Sequence, residues 1–173
     1  MASSVREAVE APTNPFAGYG GGGDRPLAPY AGLASVWLLG LGGFVGLTKA
    51  LDKPIPRLPA EDILLLSGAT FHLSRLITKD AVLSFLRAPF TRYKEPGAPS
   101  EVNEEPRKES EVQHAIGELV SCPFCMATWV AAGLTYAYVF FPRLTRLIAG
   151  MFCTIGLADA LQLAYGTAHK KAG

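Results

Sequence analysis

Charge is scarce in this sequence, and several absences narrow the function classes before any motif is considered. Only 18% of the 173 residues are charged, whereas 49% are hydrophobic, which is less charge than a soluble domain usually carries. The net charge of +1 gives no general attraction to nucleic acid. Three cysteines are too few for the disulfide framework of a small secreted domain. Residues 1–25 lack the basic start, apolar centre and cleavage site of a signal peptide.

Motifs for common enzyme chemistry are also missing from the sequence. It contains no nucleophile elbow with an ordered Ser/His/Asp set, no Gly-x-x-x-x-Gly-Lys and no His-Glu-x-x-His. The glycine run at residues 20–23 follows no predicted strand, so it does not fit a phosphate-binding loop. The sequence therefore favours a protein without catalytic residues, without a cofactor or resident metal, and without a nucleic-acid partner.

Long apolar stretches dominate what is present. Four of them are predicted as transmembrane helices, because about 20 apolar residues at 1.5 Å each cross a hydrocarbon core of about 30 Å; they lie at residues 30–51, 60–78, 122–141 and 144–165. The Gly- and Pro-rich residues 1–28 predict a disordered tail, and the Pro- and Glu-rich residues 94–111 a flexible loop. The predicted fold class is all-α: an integral membrane helical bundle of about four transmembrane helices over residues 29–171, with one interfacial amphipathic helix.

Two further patterns concern how these helices pack and where the chain meets lipid. Gly42 and Gly46 form a small-xxx-small pair, which predicts close packing against another helix of this chain or of a neighbour. Residues 79–94 alternate basic with apolar and aromatic side chains, as in a helix lying on an anionic membrane surface. The membrane-surface contacts expected there are Arg87, Phe90, Arg92 and Tyr93. An ordinary solvated connector is the alternative interpretation of this segment.

The distribution of basic residues predicts the orientation. With four crossings, eleven Lys and Arg residues fall on one side and five on the other. Because cytoplasmic loops carry the excess of positive charge, both termini and the cysteine pair are expected in the cytoplasm. The predicted location is the cell membrane, crossed several times.

Cys122 and Cys125 stand at C-x-x-C spacing with Pro123 between them, at the start of the third apolar stretch. Proline suits the first turn of a helix, so the two thiols are expected on one face of that turn. A redox dithiol is one interpretation, since a helix N-terminus favours a thiolate. A zinc site within one chain lacks enough ligands. The interpretation we favour is a pair of reduced thiols that pack where the loop meets the bundle.

The second stretch carries His72 and Arg75, and the fourth carries Asp159 and Gln162. The second stretch is too polar to face lipid on all sides, because Ser67, Thr70, His72, Ser74 and Arg75 interrupt it. It is expected either to span the membrane fully or to be partly re-entrant. Charges inside a membrane usually find partners, which predicts an ion pair between Arg75 and Asp159. His72, Gln162 and Glu118 are expected near it, at the same end of the bundle as the cysteines. A purely structural role for this pair is favoured over a functional one.

Several segments together resemble a known family. They are Ala69–Asp80, Leu86–Tyr93, Gly117–Cys125 and Pro142–Arg146. In this order they resemble a family of small bacterial membrane proteins, the domain of unknown function 1360, over residues 59–165. The resemblance implies a bacterial integral membrane protein, hence one of the inner cell membrane, and implies no activity.

The leading function hypothesis is a small non-enzymatic membrane protein that acts as scaffold or partner of another membrane component. Anionic lipid headgroups, a second copy of the chain or another membrane protein are the expected partners. One alternative is a thiol-redox or metal-sensing membrane protein that uses Cys122 and Cys125. The other is a small transporter or proton-linked carrier that uses Asp159, Arg75 and His72.

Overall fold

The computed structural model describes Tyr19 and residues 25–172. Six helices and two strands follow one another there: α1 Leu27–Ala50, α2 Ala60–Lys79, α3 Ser84–Arg87, β1 Thr91–Pro96, β2 Val102–Pro106, α4 Glu111–Ser121, α5 Pro123–Phe140 and α6 Pro142–Ala172. Helix α4 starts at a serine cap, because the Ser110 hydroxyl accepts the N–H of Gln113 at 3.1 Å. Most of the predicted tail, residues 1–28, lies outside the described residues, and α1 already begins at Leu27.

Helix α2 is the centre of the bundle, because it packs against both α5 and α6. Its buried Leu66 and Ala69 join Tyr138 of α5 and Ala149 of α6 in one apolar cluster. Contacts near the start of α2 involve the end of α5 and the start of α6, so α2 runs antiparallel to α5 and parallel to α6. We call the end where α2 begins the far end of the bundle.

Small residues bring α2 and α6 into close contact. A Cβ added at Gly68 would lie 2.6 Å from Sγ of Cys153, and one added at Gly156 would lie 3.4 Å from Cβ of His72. Real Cβ atoms do not approach other heavy atoms to 2.6 Å, so a side chain at Gly68 would require the Cys153 side chain to move. These four residues define the α2–α6 seam, which brings His72 beside the second half of α6.

Helix α1 is peripheral by comparison. Its main aromatic contact is Phe44, which stacks on Tyr136 of α5 with ring centroids 4.2 Å apart. A Cβ added at Gly42 or Gly46 would meet nothing within 4 Å. The predicted packing of these glycines against a helix of the same chain is therefore wrong, because α1 contacts α5 through an aromatic face instead. Packing against a neighbouring chain stays a prediction.

Residues 80–121 fold into a small polar unit at the other end of the bundle, which we call the cap. Strands β1 and β2 pair antiparallel from Thr91 opposite Pro106 to Pro96 opposite Val102. The reversal between the strands includes Ser100, whose φ of 68° is in the left-handed region. The prediction of an entirely α-helical fold with a flexible loop at residues 94–111 is therefore corrected, because most of that segment is this hairpin. The predicted interfacial helix is reduced to the single turn α3.

Within the described residues, three helices are long and apolar enough to cross a membrane, by length and composition: Leu27–Ala50, Pro123–Phe140 and Pro142–Lys171. Many large hydrophobic side chains of these helices point outward, among them Leu39, Leu147 and Leu161. Helix α2 is not among the three, because Ser67, Thr70, His72, Ser74 and Arg75 lower its hydropathy. These outward apolar surfaces indicate association with a membrane.

Candidate functional site

The cap is built around one buried ion pair. Nε of Arg87 donates to Oε2 of Glu104 at 2.8 Å, and the two side chains are only 2% and 5% exposed. Arg87 also donates to the carbonyls of Ile77 and Asp80 at 2.9 and 2.8 Å. The guanidinium thus satisfies carbonyls at the C-terminal end of α2, where a cation is favourable. The predicted contact of Arg87 with lipid headgroups is therefore wrong, because its charge is turned inward.

Arg75 pairs with the hairpin rather than with α6. Its Nη2 donates to both carboxylate oxygens of Glu101, at 2.7 and 2.6 Å, and its Nε donates at 3.0 Å. The predicted ion pair between Arg75 and Asp159 does not form. The physical reason is that the hairpin returns to the end of α2, where residue 101 bridges Asp80, and so supplies a nearer carboxylate.

Asp159 instead lies beside His72, across the α2–α6 seam. Its Oδ2 is 3.7 Å from Nδ1 of His72, and the Asp159 side chain is 54% exposed. This separation exceeds that of a hydrogen bond, so the carboxylate has only a loose partner. Gln162, one turn further along α6, is exposed. The predicted packing of the second apolar stretch against the fourth is present, although the predicted pair is not.

The remaining residues predicted to contact the membrane surface lie on the cap. Tyr93 is exposed and Phe90 is half-buried. Arg92 donates to Oε1 of Glu109 at 2.8 Å, and Arg107 donates to the same oxygen at 3.2 Å. The hydrogen bond from Arg92 is the largest cause that lowers the pKa of Glu109. Glu109, in the segment predicted as a flexible loop, therefore binds Arg92, which was predicted to contact lipid headgroups.

The two cysteines of the C-x-x-C motif contact one another. Cys122 caps α5, because its Sγ accepts the backbone N–H of Cys125 at 3.3 Å. The two sulfur atoms are 2.7 Å apart, with the Cys125 thiol as donor, and both cysteines are free thiols. In the part of the chain that the structure describes, no group of three or more His, Cys, Asp or Glu side chains is placed to hold a metal ion.

Glu118 joins α1 to the cap. It accepts a hydrogen bond from the hydroxyl of Tyr30 and a second from Arg25 at 3.4 Å. On its own helix, His114 lies 3.5 Å away, one turn earlier. Glu118 was expected beside Arg75 and Asp159, but its partners are these residues. It therefore fixes the start of α1 to α4.

An ion cluster at the far end was missed by the sequence reasoning. Asp62 is 1% exposed, and its Oδ2 accepts from Tyr138 at 2.5 Å and from Arg146 at 3.3 Å. Its Oδ1 is buried and has no hydrogen-bond partner among the described residues. In the sequence, Asp62 stands out only as an acid in the first turn of a helix. The sequence does contain one indication of this cluster. The connection between α5 and α6 is so short that it places Arg146 at the same end of the bundle as the start of α2.

A groove separates α2 from α5 on the surface of the bundle. Its volume is about 440 Å³. Ser67, Thr70 and Ser74 give it a polar wall along α2, and Pro123 and Phe124 close its cap end. The groove therefore ends at the residues that lie between the two cysteines.

Comparison with known proteins adds family membership and no activity. A family model described as a protein of unknown function, DUF1360, matches residues 65–165, which confirms the resemblance found in the sequence. A curated relative, the sporulation protein YjcA of Bacillus subtilis (strain 168), is 32% identical over 103 residues, which cover 58% of this chain and 86% of the relative. No solved structure matches this chain significantly.

Proposed function

This chain belongs to the DUF1360 family of proteins of unknown function, and we propose that it is a multi-pass membrane protein that binds another membrane protein. In this proposal α1, α2, α5 and α6 all cross the bacterial inner membrane. Both termini and the cap lie in the cytoplasm. The half-exposed Asp159 on α6 is the observation that carries the partner-binding part of the proposal.

The arrangement of the helices supports four crossings. Helices α1 and α5 run in one direction and α2 and α6 in the other, as successive crossings require. Helix α2 is less apolar, but it packs against both α5 and α6. A membrane-impermeant maleimide tests the orientation in intact cells. Cys122 and Cys125 should stay unlabelled until the cells are opened, and labelling from outside would contradict the orientation.

In this arrangement the Asp159 carboxylate lies at a depth in the membrane where a charge is energetically unfavourable. It follows Arg146, which lies at the far end, by 13 residues, and this corresponds to about 20 Å along a helix. With a hydrocarbon core of about 30 Å, a carboxylate there is still surrounded by lipid tails. Charged side chains at such depth are rare and almost always paired. His72, at 3.7 Å, shields only one side of the carboxylate.

The exposed side of Asp159 identifies the chemistry of the partner. Its neighbours on the same face of α6 are Ile155 and Leu163, both exposed, together with Gln162. We propose that a transmembrane segment with a basic side chain at this depth packs there, because it would neutralise the carboxylate and cover the apolar residues. A second copy of this chain is less complementary, since it presents another carboxylate.

Photocrosslinking tests this surface in the native host. A photoreactive phenylalanine analogue at Leu163 should give an adduct with a membrane protein, because this position lies on the Asp159 face. Leu157 is an exposed leucine on the opposite face of α6 and serves as the matched control. Asp159→Asn should reduce the Leu163 adduct, and the crosslinked segment should contain a basic residue.

Other outcomes would contradict the proposal. An adduct of twice the mass of the chain would show that this face joins two copies. Equal adducts from Leu163 and Leu157, or an adduct that does not depend on Asp159, would show that the carboxylate plays no part in binding.

The cap also favours contact with the membrane surface. Phe85 and Leu86 in α3 are exposed directly after the end of α2, where the membrane interface lies in this arrangement. We propose that they enter the interface while Arg92 and Tyr93 approach anionic headgroups. Vesicles containing anionic lipid should therefore slow hydrogen exchange in α3 more than neutral vesicles do.

For the cellular process, we propose sporulation, which the name of the Bacillus subtilis relative supports. Expressing this chain in Bacillus subtilis that lacks the relative tests it. If that strain has a sporulation defect, this chain should restore sporulation. Failure to restore it would count against the shared process.

A further inference from the structure

The cysteine pair has a geometry that the partner-binding proposal does not use. Cys122 is the N-cap of the 18-residue helix α5, and its sulfur accepts both the N–H and the thiol of Cys125, at 3.3 and 2.7 Å. Cys125 is exposed and Cys122 is half-buried. The two thiols are therefore already placed for joint reaction at the edge of the bundle.

This arrangement distinguishes the two sulfur atoms chemically. The backbone N–H of Cys125 donates to the Cys122 sulfur, and Cys122 stands at the N-terminus of α5, which is the usual position of a nucleophilic cysteine. Cys125 follows one turn later in the same helix. Cys122 is thus the nucleophile and Cys125 the resolving thiol of the pair.

We propose that Cys122 and Cys125 form a thiol–disulfide exchange site that reduces the disulfide of a small apolar molecule at the membrane surface. Pro123 and Phe124 lie between the cysteines and line the groove between α2 and α5. Phe124 is 90% exposed, so it presents an aromatic surface next to the thiols. The groove accommodates the apolar part of a substrate while its disulfide lies over Cys122.

The reaction proceeds in two exchanges. The Cys122 thiolate, whose proton has gone to water, attacks one sulfur of the substrate disulfide; a mixed disulfide forms, and the other substrate sulfur leaves and takes a proton. Cys125 then loses its proton and attacks the Cys122 sulfur of the mixed disulfide. The second substrate thiol is released and protonated. Two electrons pass to the substrate, and the protein is left with a disulfide between Cys122 and Cys125.

Equilibration with glutathione buffers tests the pairing on the full-length protein in mild detergent. After quenching with a maleimide, mass spectrometry should show both thiols lost together in one two-electron transition. Cys153, half-buried on the α2–α6 seam, serves as the internal control that stays alkylated. Independent glutathionylation of Cys122 and Cys125 without a disulfide between them would overturn the proposal.

Single serine variants test the assignment of roles. With oxidised glutathione, Cys125→Ser should accumulate a mixed disulfide on Cys122 about tenfold faster than Cys122→Ser does on Cys125, because exchange rate follows the thiolate fraction. Serine is a good N-cap, so Cys122→Ser should keep the thermal unfolding midpoint and exclude misfolding as the cause. Equal rates, or faster reaction at Cys125, would overturn the assignment.

The preference of the site for an apolar disulfide can be tested separately by comparing reaction rates. Wild-type protein should react with an aromatic disulfide such as dithiodipyridine faster than with oxidised glutathione at matched concentration. Phe124→Ala should slow the first reaction several-fold and leave the second unchanged. The same loss with both disulfides would show that Phe124 only supports the fold, and would contradict a substrate-binding groove. These measurements do not depend on the Asp159 partner, so the two proposals fail separately.

Discussion

The cap and the bundle are each stabilised by a different kind of interaction, although the cap lies between α2 and α5 of the bundle in the sequence. In the cap, charges are buried as a pair: Arg87 and Glu104 are almost fully enclosed. In the bundle, small residues allow helices to approach, and Gly68 lies against Cys153. The same residue types have other roles elsewhere, since a Cβ added at Gly42 would meet nothing within 4 Å and Asp159 has only a loose partner. A residue type therefore indicates a role only together with the element that faces it.

This difference predicts which substitutions disrupt which region. Changes to charge should weaken the cap and leave the α2–α6 seam in place. Changes to side-chain volume should do the reverse. Thermal unfolding in mild detergent reports the whole protein, whereas hydrogen exchange in β1 and β2 reports the cap, so the two measurements separate the effects.

The largest effect is expected from breaking the buried pair of the cap. Arg87→Met leaves the Glu104 carboxylate buried without its cation, and a loss of about 3–5 kcal/mol is typical of such a change. Hydrogen exchange in both strands should rise strongly. The double variant Arg87→Met with Glu104→Leu should cost less than the sum of the single changes, since no charge is left unpaired.

Arg75 offers a matched comparison for that prediction. It also binds a carboxylate through several hydrogen bonds, but its side chain is partly exposed. Arg75→Met should therefore cost about 1 kcal/mol or less, as is usual for exposed pairs. If Arg75→Met and Arg87→Met were equally harmful, burial would not be what distinguishes the two pairs.

The next effect concerns the α2–α6 seam. Gly68→Ala adds a Cβ that meets the Cys153 sulfur, and overpacking of this kind typically costs about 1–3 kcal/mol. Gly42→Ala is the matched control, because a Cβ there meets nothing and alanine favours the helix. The thermal midpoint should fall for Gly68→Ala and stay equal or rise for Gly42→Ala. A fall with Gly42→Ala would indicate packing of α1 against a neighbouring chain.

The glycines also show how far the sequence predicts this structure. The apolar stretches indicate where α1, α2, α5 and α6 lie, because length and hydropathy are local properties. Which glycine lies in a helix contact depends on the helix that faces it, so the Gly42 and Gly46 spacing predicted a contact within this chain that the structure has at Gly68 and Gly156 instead. Similarly, the tendency of charges inside a membrane to pair predicted a contact between Arg75 and Asp159, but the hairpin supplied Glu101 from a segment with little strand-forming tendency.

The sequence did not predict the hairpin of β1 and β2 for a related reason. Its strands contain many Glu, Lys and Pro residues, which are uncommon in strands, so the segment has the composition of a flexible loop. The pair between Arg87 and Glu104, together with Arg75 and Glu101, holds the hairpin to α2. These contacts join residues 17 and 26 positions apart, and local pattern analysis does not detect them.

A smaller effect is expected at the far end of the bundle. Asp62→Asn removes a charge from a cluster in which Arg146 is half exposed, while Tyr138 still has an oxygen to bind. The change should cost about 1–2 kcal/mol, which lies between the contribution of an ordinary hydrogen bond and that of a hydrogen bond to a charged group. Thermal unfolding should show this loss while hydrogen exchange in the cap stays unchanged. Raised exchange in β1 or β2 would mean that the two ends are coupled.

The smallest effect is a pH dependence on the outer surface of the cap. The hydrogen bond from Arg92 lowers the pKa of Glu109 from its ordinary value of 4.5, so the folded state favours the carboxylate. Its contribution to stability is present above pH 4.5 and is lost as the pH falls through the lower folded pKa. Glu109→Gln should therefore slightly raise hydrogen exchange in the cap at pH 7, and the difference from wild type should disappear in acid.

Glu105→Gln is the control for this measurement, because Glu105 is exposed and has no ion-pair partner within the described residues. It should change the exchange little at either pH. High salt should reduce the Glu109 effect, since charges at the surface are screened, whereas it should leave the effect of Arg87→Met almost unchanged. Equal salt sensitivity of the two variants would mean that water reaches Arg87 and Glu104, and the cap would then not differ from an ordinary charged surface.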